Sequence, residues 1–274
     1  MNFVWIDGEL LPVEQARVSP FDHAVLTGDG VFETLRVYRG IPFAARRHLD
    51  RLTRSATGLR LPAPDRDLLR TVMDEVVVAN GLVDGRLRIT ITGGVGSLGS
   101  DRAAVDPTVI VAVGPPTAWP ATTDVAVVPW PRNERGALTG LKTVSYGENV
   151  VALAHAHERG AGEAVFGNLV GNVCEGTGTN VFVGIGGRLV TPPLSAGCLA
   201  GVTRELLLEL VDVAEEDLPL STLASTDEAF LTSSTREVQP IRAVDGTPLA
   251  AAPGPLTLAA SAALTDLVGH DLDP

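Results

Sequence analysis

The most informative residues of the chain lie in three linked segments: Glu175-Gly-Thr-Gly-Thr-Asn-Val-Phe182, Leu189-Val-Thr191 and Leu199-Ala-Gly-Val-Thr-Arg204. The first segment puts a carboxylate beside a turn rich in glycine and threonine. In the last, Gly201 directly precedes a predicted helix that begins at Val202 and continues through Thr203. A helix start presents unpaired N–H groups and the positive end of the helix dipole, which favour an anion such as phosphate. The stretch therefore predicts an anion site next to a carboxylate.

A single lysine, Lys142, lies upstream of this stretch. The chain has 21 basic residues among its 274, and all the others are arginine. Arginine keeps its proton, so only Lys142 offers a side-chain amine that can act as a nucleophile. An amine, a carboxylate and a phosphate site are the groups that pyridoxal 5′-phosphate (PLP) requires. We predict that Lys142 holds PLP as a Schiff base and that Glu175 pairs with its pyridinium nitrogen.

These positions resemble the signature of the class IV (fold-type IV) PLP-dependent aminotransferases. The signature reads E-x-T-x-x-N-apolar-F, apolar-x-T and apolar-x-G-apolar-x-R, and the chain fills it with Glu175, Thr177, Asn180, Phe182, Leu189, Thr191, Leu199, Gly201, Val202 and Arg204. Segments 28–33, 47–52 and 232–237 are also similar to family segments. The resemblance implies transfer of an amino group from an amino acid to a 2-oxo acid. It also implies phosphate contacts from Arg51, Val202, Thr203, Ser234 and Thr235.

The resemblance and the element pattern together predict an α+β fold with two domains. Strand pairs alternate with helical patterns rather than forming a regular βαβ array, and the proline-rich segment 115–120 favours a linker. We predict a small N-terminal α+β domain at 1–114, an interdomain linker at 115–123 and a larger PLP-binding domain at 124–274. Each domain is expected to contain a mixed, mainly antiparallel sheet with flanking helices. The family resemblance further implies a cofactor between the domains and a homodimer.

Two residue patterns bear on the substrate. The run from Lys142 to Asn149 lacks the Asn-Tyr pair at the fourth and fifth positions that is common in branched-chain enzymes. It resembles the D-amino-acid transaminase and 4-amino-4-deoxychorismate lyase branches, as does the run from Thr232 to Thr235. D-amino acids are therefore the favoured donors. The lyase reaction, which eliminates pyruvate, and branched-chain amino-acid or (R)-amine transamination stay open as alternatives.

The candidate substrate-binding residues follow from the same comparison and from charge. A carboxylate favours a bidentate guanidinium, so several arginines are candidates for binding it. A threonine stands where the lyases can place a hydroxyl proton donor, and a phenylalanine occupies a position at which D-amino-acid enzymes often carry tyrosine. The candidates are Phe32, Thr34, Arg36, Arg102 and Arg236.

Composition excludes several other classes of protein. The formal net charge of −12 argues against binding to nucleic acid or to anionic membranes. No apolar run reaches about 18 residues, so no membrane span is predicted. The two cysteines, Cys174 and Cys198, form neither a CxxC motif nor a metal-ligand spacing. We expect a cytoplasmic protein in a reducing compartment.

Two further motifs carry less weight. Residues 94–99 read Gly-Val-Gly-Ser-Leu-Gly and match G-x-G-x-x-G. No helical pattern opens at the third glycine, so the run predicts a mobile hairpin loop rather than a dinucleotide site. His155 and His157 lie two residues apart on a predicted helix and do not share a face. No metal site is therefore expected.

Replacing Lys142 with alanine should remove nearly all turnover, because no other side chain of the sequence supplies a tunable amine. Borohydride reduction of the purified wild-type protein, followed by digestion and mass measurement, should find a cofactor adduct on the Lys142 peptide. An unmodified Lys142 peptide, or a Lys142→Ala variant that works at the wild-type rate, would contradict the assignment.

Overall fold

Alternating apolar residues build the sheet of the first of two compact units. The computed structural model describes residues 2–274, and this unit comprises 2–117, 141–146 and 271–274. Its strands are β1 (Phe3–Ile6), β2 (Glu9–Pro12), β3 (Gly30–Tyr38), β4 (Ile41–Pro42), β5 (Gly85–Thr92) and β6 (Val109–Gly114). They pair antiparallel throughout in the order β2-β1-β6-β5-β3-β4.

Three helices accompany this sheet: α1 (His23–Thr27), α2 (Ala45–Gly58) and α3 (Arg66–Ala79). Asp65 caps α3 by accepting the N–H groups of Asp67 and Leu68. Apolar residues of α2 and α3, among them Leu52 and Met73, pack with one face of the sheet into a buried core. Because side chains alternate along a strand, the residues of β3 that do not enter this core project from the opposite face.

The second unit comprises residues 118–140 and 147–270. Its strands are β7 (Thr123–Val127), β8 (Glu163–Gly167), β9 (Val173–Gly176), β10 (Asn180–Ile185), β11 (Arg188–Thr191), β12 (Ala214–Glu215), β13 (Glu228–Ser233), β14 (Glu237–Val244) and β15 (Thr247–Pro248). The order is β12-β11-β10-β13-β14-β7-β8-β9, with β15 beside β14. The pairs β14–β7, β7–β8 and β11–β12 are parallel, and the others are antiparallel.

Three α-helices complete the second unit: α4 (Gly147–Glu158), α5 (Val202–Leu210) and α6 (Pro255–His270). Valines of β7, β8 and β10 pack with Leu231 and Ile241 into its main core. Phe182 and Phe230, which face each other on β10 and β13, stack with ring centroids 4.9 Å apart. None of the helices formed by residues 2–274 combines the length and the apolar character that crossing a bilayer requires.

The predicted α+β fold with mixed, mainly antiparallel sheets is confirmed. Residues 94–99 lie in the loop between the antiparallel strands β5 and β6, as the missing helix pattern predicted. The short elements α1 and β9 were not predicted. Each has only four or five residues, too few to show a period in the sequence. The domain boundaries at 114 and 124 stay a prediction.

Candidate active site

The segment that carries Lys142 is bound to β3 in the first unit. The Phe32 N–H donates to the Lys142 carbonyl at 3.0 Å, and the Val144 N–H donates to the Gly30 carbonyl at 2.9 Å. A third bond runs from the Lys142 N–H to Ser55 Oγ on α2, at 3.1 Å. The sequence predicted a loop before a helix, and the segment does precede α4. These three bonds fix the backbone of the chain's lone lysine.

The Lys142 amine lies beside an aromatic ring. Its Nζ is 4.4 Å from the ring centroid of Phe32, a predicted substrate residue. The Tyr146 ring meets Phe32 edge-on at 5.2 Å, and the Arg88 guanidinium lies over Phe32 at 3.7 Å. The structure thus brings Lys142 and Phe32 together and adds Tyr146 and Arg88, which sequence reasoning missed. Only their tertiary neighbours distinguish Tyr146 from the one other tyrosine of the chain and Arg88 from the other arginines.

Arg51 lies in a buried network with two residues that were not predicted. Its Nε and Nη2 each donate to a carboxylate oxygen of Glu33 at 2.7 Å, and His48 Nδ1 lies 2.7 Å from Glu33 Oε2. All three side chains are at most 5% exposed. Burial alone would raise the pKa of Glu33, but Arg51 and then His48 outweigh it and hold that pKa well below its ordinary range. Burial lowers the pKa of His48, and Glu33 opposes this shift.

The three arginines predicted to bind a substrate carboxylate each contact a carboxylate of the chain. Arg36 pairs with Asp84 at 2.8 Å, Arg102 holds Asp29 in a bidentate pair, and Arg236 pairs with Glu163 at 3.0 Å. Arg102 also donates to the Leu59 and Arg60 carbonyls, at the end of α2. Each of the three is therefore already engaged by an acidic side chain of its own unit.

Thr34 lies on the same face of β3 as Phe32, and it stands directly opposite Arg88 of β5. Arg88 donates from Nε to Thr90 Oγ1 at 3.1 Å. Among residues 2–274, no carboxylate lies within ion-pair distance of its guanidinium. A cation beside Phe32 that holds no carboxylate of the chain can bind an anion.

In the second unit, Glu175 sits on β9 with its carboxylate held from two sides. Its Oε2 accepts the Leu199 N–H at 2.8 Å, and its Oε1 lies 3.4 Å from Arg132 Nε. Cys174 and Cys198 lie beside these residues in the chain, and both are buried. Burial raises the pKa of Cys198 to about 12, and the Glu175 charge adds to the effect. Cys174 shifts in the same direction for the same reasons, so neither thiol is a nucleophile near neutral pH.

The signature residues close the turn that leads into α5. Asn180 Nδ2 donates to the Leu199 carbonyl at 2.8 Å, and Thr191 Oγ1 donates to the Val181 carbonyl at 2.8 Å. A Cβ on Gly201 would lie 2.0 Å from Asn180 Oδ1, so only glycine fits there. Gly201 provides no side-chain cap to α5, which leaves the first N–H groups of the helix for another acceptor. Val202 and Thr203, the predicted phosphate contacts, begin that helix.

Ser234 and Thr235 lie in the tight turn between β13 and β14. Arg236 follows them and donates its backbone N–H to Ser233 Oγ at 3.1 Å. Its guanidinium is 3.7 Å above the Trp119 ring and bonds to Gln239 as well as to Glu163. The predicted phosphate residues Ser234 and Thr235 therefore directly precede an arginine that is held in a buried ion pair.

Comparisons with known proteins agree with one another about the family. The sequence model of "Amino-transferase class IV" matches residues 30–244. A "Putative branched-chain-amino-acid aminotransferase" of Methanocaldococcus jannaschii is 35% identical over 253 residues, which cover 89% of this chain and 88% of that protein. The aminodeoxychorismate lyase of Bacillus subtilis is 31% identical, covering 88% and 86%. The crystal structure of the Escherichia coli branched-chain aminotransferase superposes with a TM-score of 0.92 at 29% identity, covering 97% and 94%.

Buried His48 should make the protein less stable as the pH falls. Because its pKa is lowered in the folded state, the unfolded chain takes up the proton first, and stability is lost from about pH 6.5 downward. In that window the free energy of unfolding of the wild type should fall more steeply than that of His48→Asn, by up to about 1.4 kcal/mol per pH unit. The asparagine amide can still donate to Glu33.

Urea unfolding between about pH 5 and about pH 8 measures the difference. His157→Asn is the matched control, because His157 is exposed. Equal pH slopes for the wild type and His48→Asn would contradict the analysis of the buried network.

Proposed function

The chain belongs to the class IV aminotransferases, and on that basis we propose that it transfers an amino group from an amino acid to a 2-oxo acid with Lys142 as the amine that holds PLP. The enzyme is PLP-dependent. The observation that carries the proposal is the fixed position of Lys142: its segment makes three hydrogen bonds, two of them from the Lys142 backbone itself, and its Nζ lies beside Phe32.

Each unit, taken by itself, offers residues that suit a part of this cofactor. The second unit offers a carboxylate already held by Leu199 and Arg132, and a helix start with no side-chain cap. The first unit offers the lysine, and Arg51 for phosphate. When bound, PLP supplies an electron sink that stabilises negative charge on the donor's Cα. We assign Glu175 to the ring nitrogen, and we assign Arg51, Val202, Thr203, Ser234 and Thr235 to the phosphate.

Lys142 also moves the proton in this proposal. Its Nζ would take the proton from the donor's Cα and return it to the cofactor carbon on the other side of the transferred nitrogen. The Phe32 ring borders the amine and covers that side of it, and the Tyr146 ring packs against Phe32. The three hydrogen bonds of the segment 142–144 hold its backbone, so the amine moves only with the Lys142 side chain. This favours a defined path for the proton.

We assign the substrate carboxylate to Arg88 rather than to the three arginines predicted from the sequence. Arg36, Arg102 and Arg236 each hold a carboxylate of the chain, whereas Arg88 holds none within residues 2–274. Arg88 lies over Phe32, whose ring the Lys142 amine also contacts. A carboxylate bound by Arg88 would thus lie near the reacting amine.

D-amino acids are the donors that we propose, because the run from Lys142 to Asn149 has Ser145-Tyr146 at its fourth and fifth positions in place of the Asn-Tyr pair. L-branched-chain amino acids are the competing donors. The relatives named for branched-chain substrates support that alternative. The choice depends on which face of the donor's Cα meets Lys142.

Thr34 supports a second candidate function, the lyase reaction of aminodeoxychorismate. Its side chain lies on the Phe32 face of β3, opposite Arg88, where a hydroxyl can give a proton to a leaving fragment. A transaminase needs a 2-oxo acid acceptor to complete its cycle, and a lyase does not. This requirement distinguishes the two functions.

Half-reactions with single donors test the proposed function. The protein is mixed separately with D-alanine, D-glutamate, L-leucine, (R)-phenylethylamine and aminodeoxychorismate, and the cofactor absorption band is followed. We expect the fastest loss of the band with a D-amino acid. Faster loss with L-leucine would overturn the stereochemical proposal. Release of pyruvate from aminodeoxychorismate without any 2-oxo acid would favour the lyase.

Arg88→Met should raise the KM for amino-acid donors by roughly 10- to 100-fold, the loss expected when one charged hydrogen-bond partner is removed. kcat should change less. (R)-phenylethylamine has no carboxylate and should be insensitive to the change. Arg86→Met is the matched control, since Arg86 lies two residues away on the same face of β5 and donates to Thr117. An unchanged KM in Arg88→Met would exclude Arg88 as the carboxylate anchor.

A further inference from the structure

Arg132 lies beside Glu175 and is held there by polar and aromatic contacts. Its Nε–H is buried, lies 3.4 Å from Glu175 Oε1, and makes no hydrogen bond within residues 2–274. Nη2 donates to Asn149 Oδ1 at 3.0 Å, and the guanidinium plane lies 4.1 Å over the Phe166 ring. Nη1 reaches Glu148 at 3.3 Å, but that carboxylate is 81% exposed and therefore contributes little.

Asn149 and the residues behind it hold Arg132 in place. Asn149 is 8% exposed and donates from Nδ2 to the Thr177 carbonyl. Thr177 in turn donates its backbone N–H to Glu163 Oε1 at 3.2 Å, and it donates its hydroxyl to the same oxygen. Glu163 pairs with Arg236 at 3.0 Å. A chain of polar contacts therefore runs from Arg236, in the turn that contains Ser234 and Thr235, to the carboxylate of Glu175.

We propose that Arg132 is a positioning residue that keeps Glu175 ionised and fixes the orientation of its carboxylate. The proton shared between Glu175 and the cofactor's ring nitrogen then stays on the nitrogen. The inference rests on the proposed role of Glu175. A fixed positive charge 3.4 Å from Oε1 makes the carboxylate a poorer proton acceptor. The Leu199 N–H fixes the other oxygen, which leaves the carboxylate little rotational freedom.

Other charges near Glu175 do not replace Arg132. The two neighbouring thiols, Cys174 and Cys198, stay protonated near neutral pH because burial raises their pKa values. Glu148 and Glu134 are acidic side chains and cannot supply a positive charge to Glu175. Arg204 lies near Cys198, but it is held by Glu215 and by the Pro192 carbonyl.

The test compares Arg132→Met, Arg132→Lys, Glu175→Gln and the double variant Arg132→Met/Glu175→Gln. Arg135→Met is the matched control, because Arg135 is 78% exposed on the same loop. Two properties are measured on each PLP-loaded protein: the absorption spectrum of the bound cofactor across pH, and the rate at which one donor bleaches it. The dissociation constant of PLP is measured separately.

We expect Arg132→Met to shift the pH midpoint of the cofactor spectrum and to slow bleaching by about 10- to 100-fold, the size of one lost charged contact. Arg132→Lys keeps the charge and should recover most of the rate. The double variant should be no slower than Glu175→Gln, because Arg132 acts through Glu175.

A wild-type spectrum and rate in Arg132→Met, beside a slow Glu175→Gln, would overturn this inference alone. So would losses in the two single variants that multiply in the double variant. Wild-type behaviour of Glu175→Gln would overturn the proposed role of Glu175 and this inference with it. Should Arg132→Met fail to fold, Arg132→Lys decides the matter: a rate as slow as that of Glu175→Gln would contradict the role of the charge.

Discussion

Two backbone hydrogen bonds between β3 and the segment of Lys142 are the contacts on which the first half of the site depends. They add a short piece of chain to a sheet whose opposite face is already buried by α2 and α3. Ser55 of α2 supplies a third bond, so the lysine backbone is held by a strand and a helix at once. A flexible side chain on a rigid backbone suits the role that we propose for this amine, which is to hold the cofactor and to move a proton.

Buried carboxylates are the partners of two arginines that the sequence predicted for the site, Arg51 and Arg236. Glu33 in the first unit and Glu163 in the second are at most 2% exposed, and each is paired with an arginine. Removing one partner of such a pair leaves a charge that water cannot reach, which is strongly destabilising. Arg51 and Arg236 therefore stabilise the fold in addition to any contact with a ligand. Arg88 forms no ion pair with a carboxylate within residues 2–274, and for that reason our proposal assigns the substrate carboxylate to it.

The signature of the family has a physical explanation in this chain. Asn180 bonds the Leu199 carbonyl, Thr191 bonds the Val181 carbonyl, and Gly201 leaves no room for a side chain next to Asn180. These residues close the turn before α5 and present its uncapped start. Glu175 accepts the Leu199 N–H from the same turn, so the carboxylate and the helix start are built by one stretch of sequence. This explains how a local pattern could predict both.

The sequence alone determined the α+β class, the long helices and strands, the lone amine at Lys142, and the local turn around Glu175, because each depends on composition or on residues close together in the chain. Only the tertiary structure decided the partners of the arginines. Arg102 meets Asp29 and Arg236 meets Glu163, each 73 positions away in the chain. It also revealed Glu33, His48, Arg88 and Arg132, whose surroundings come from separate elements. Charge type can be read from a sequence, but whether a charge is buried, paired or available depends on which distant residues the fold packs around it.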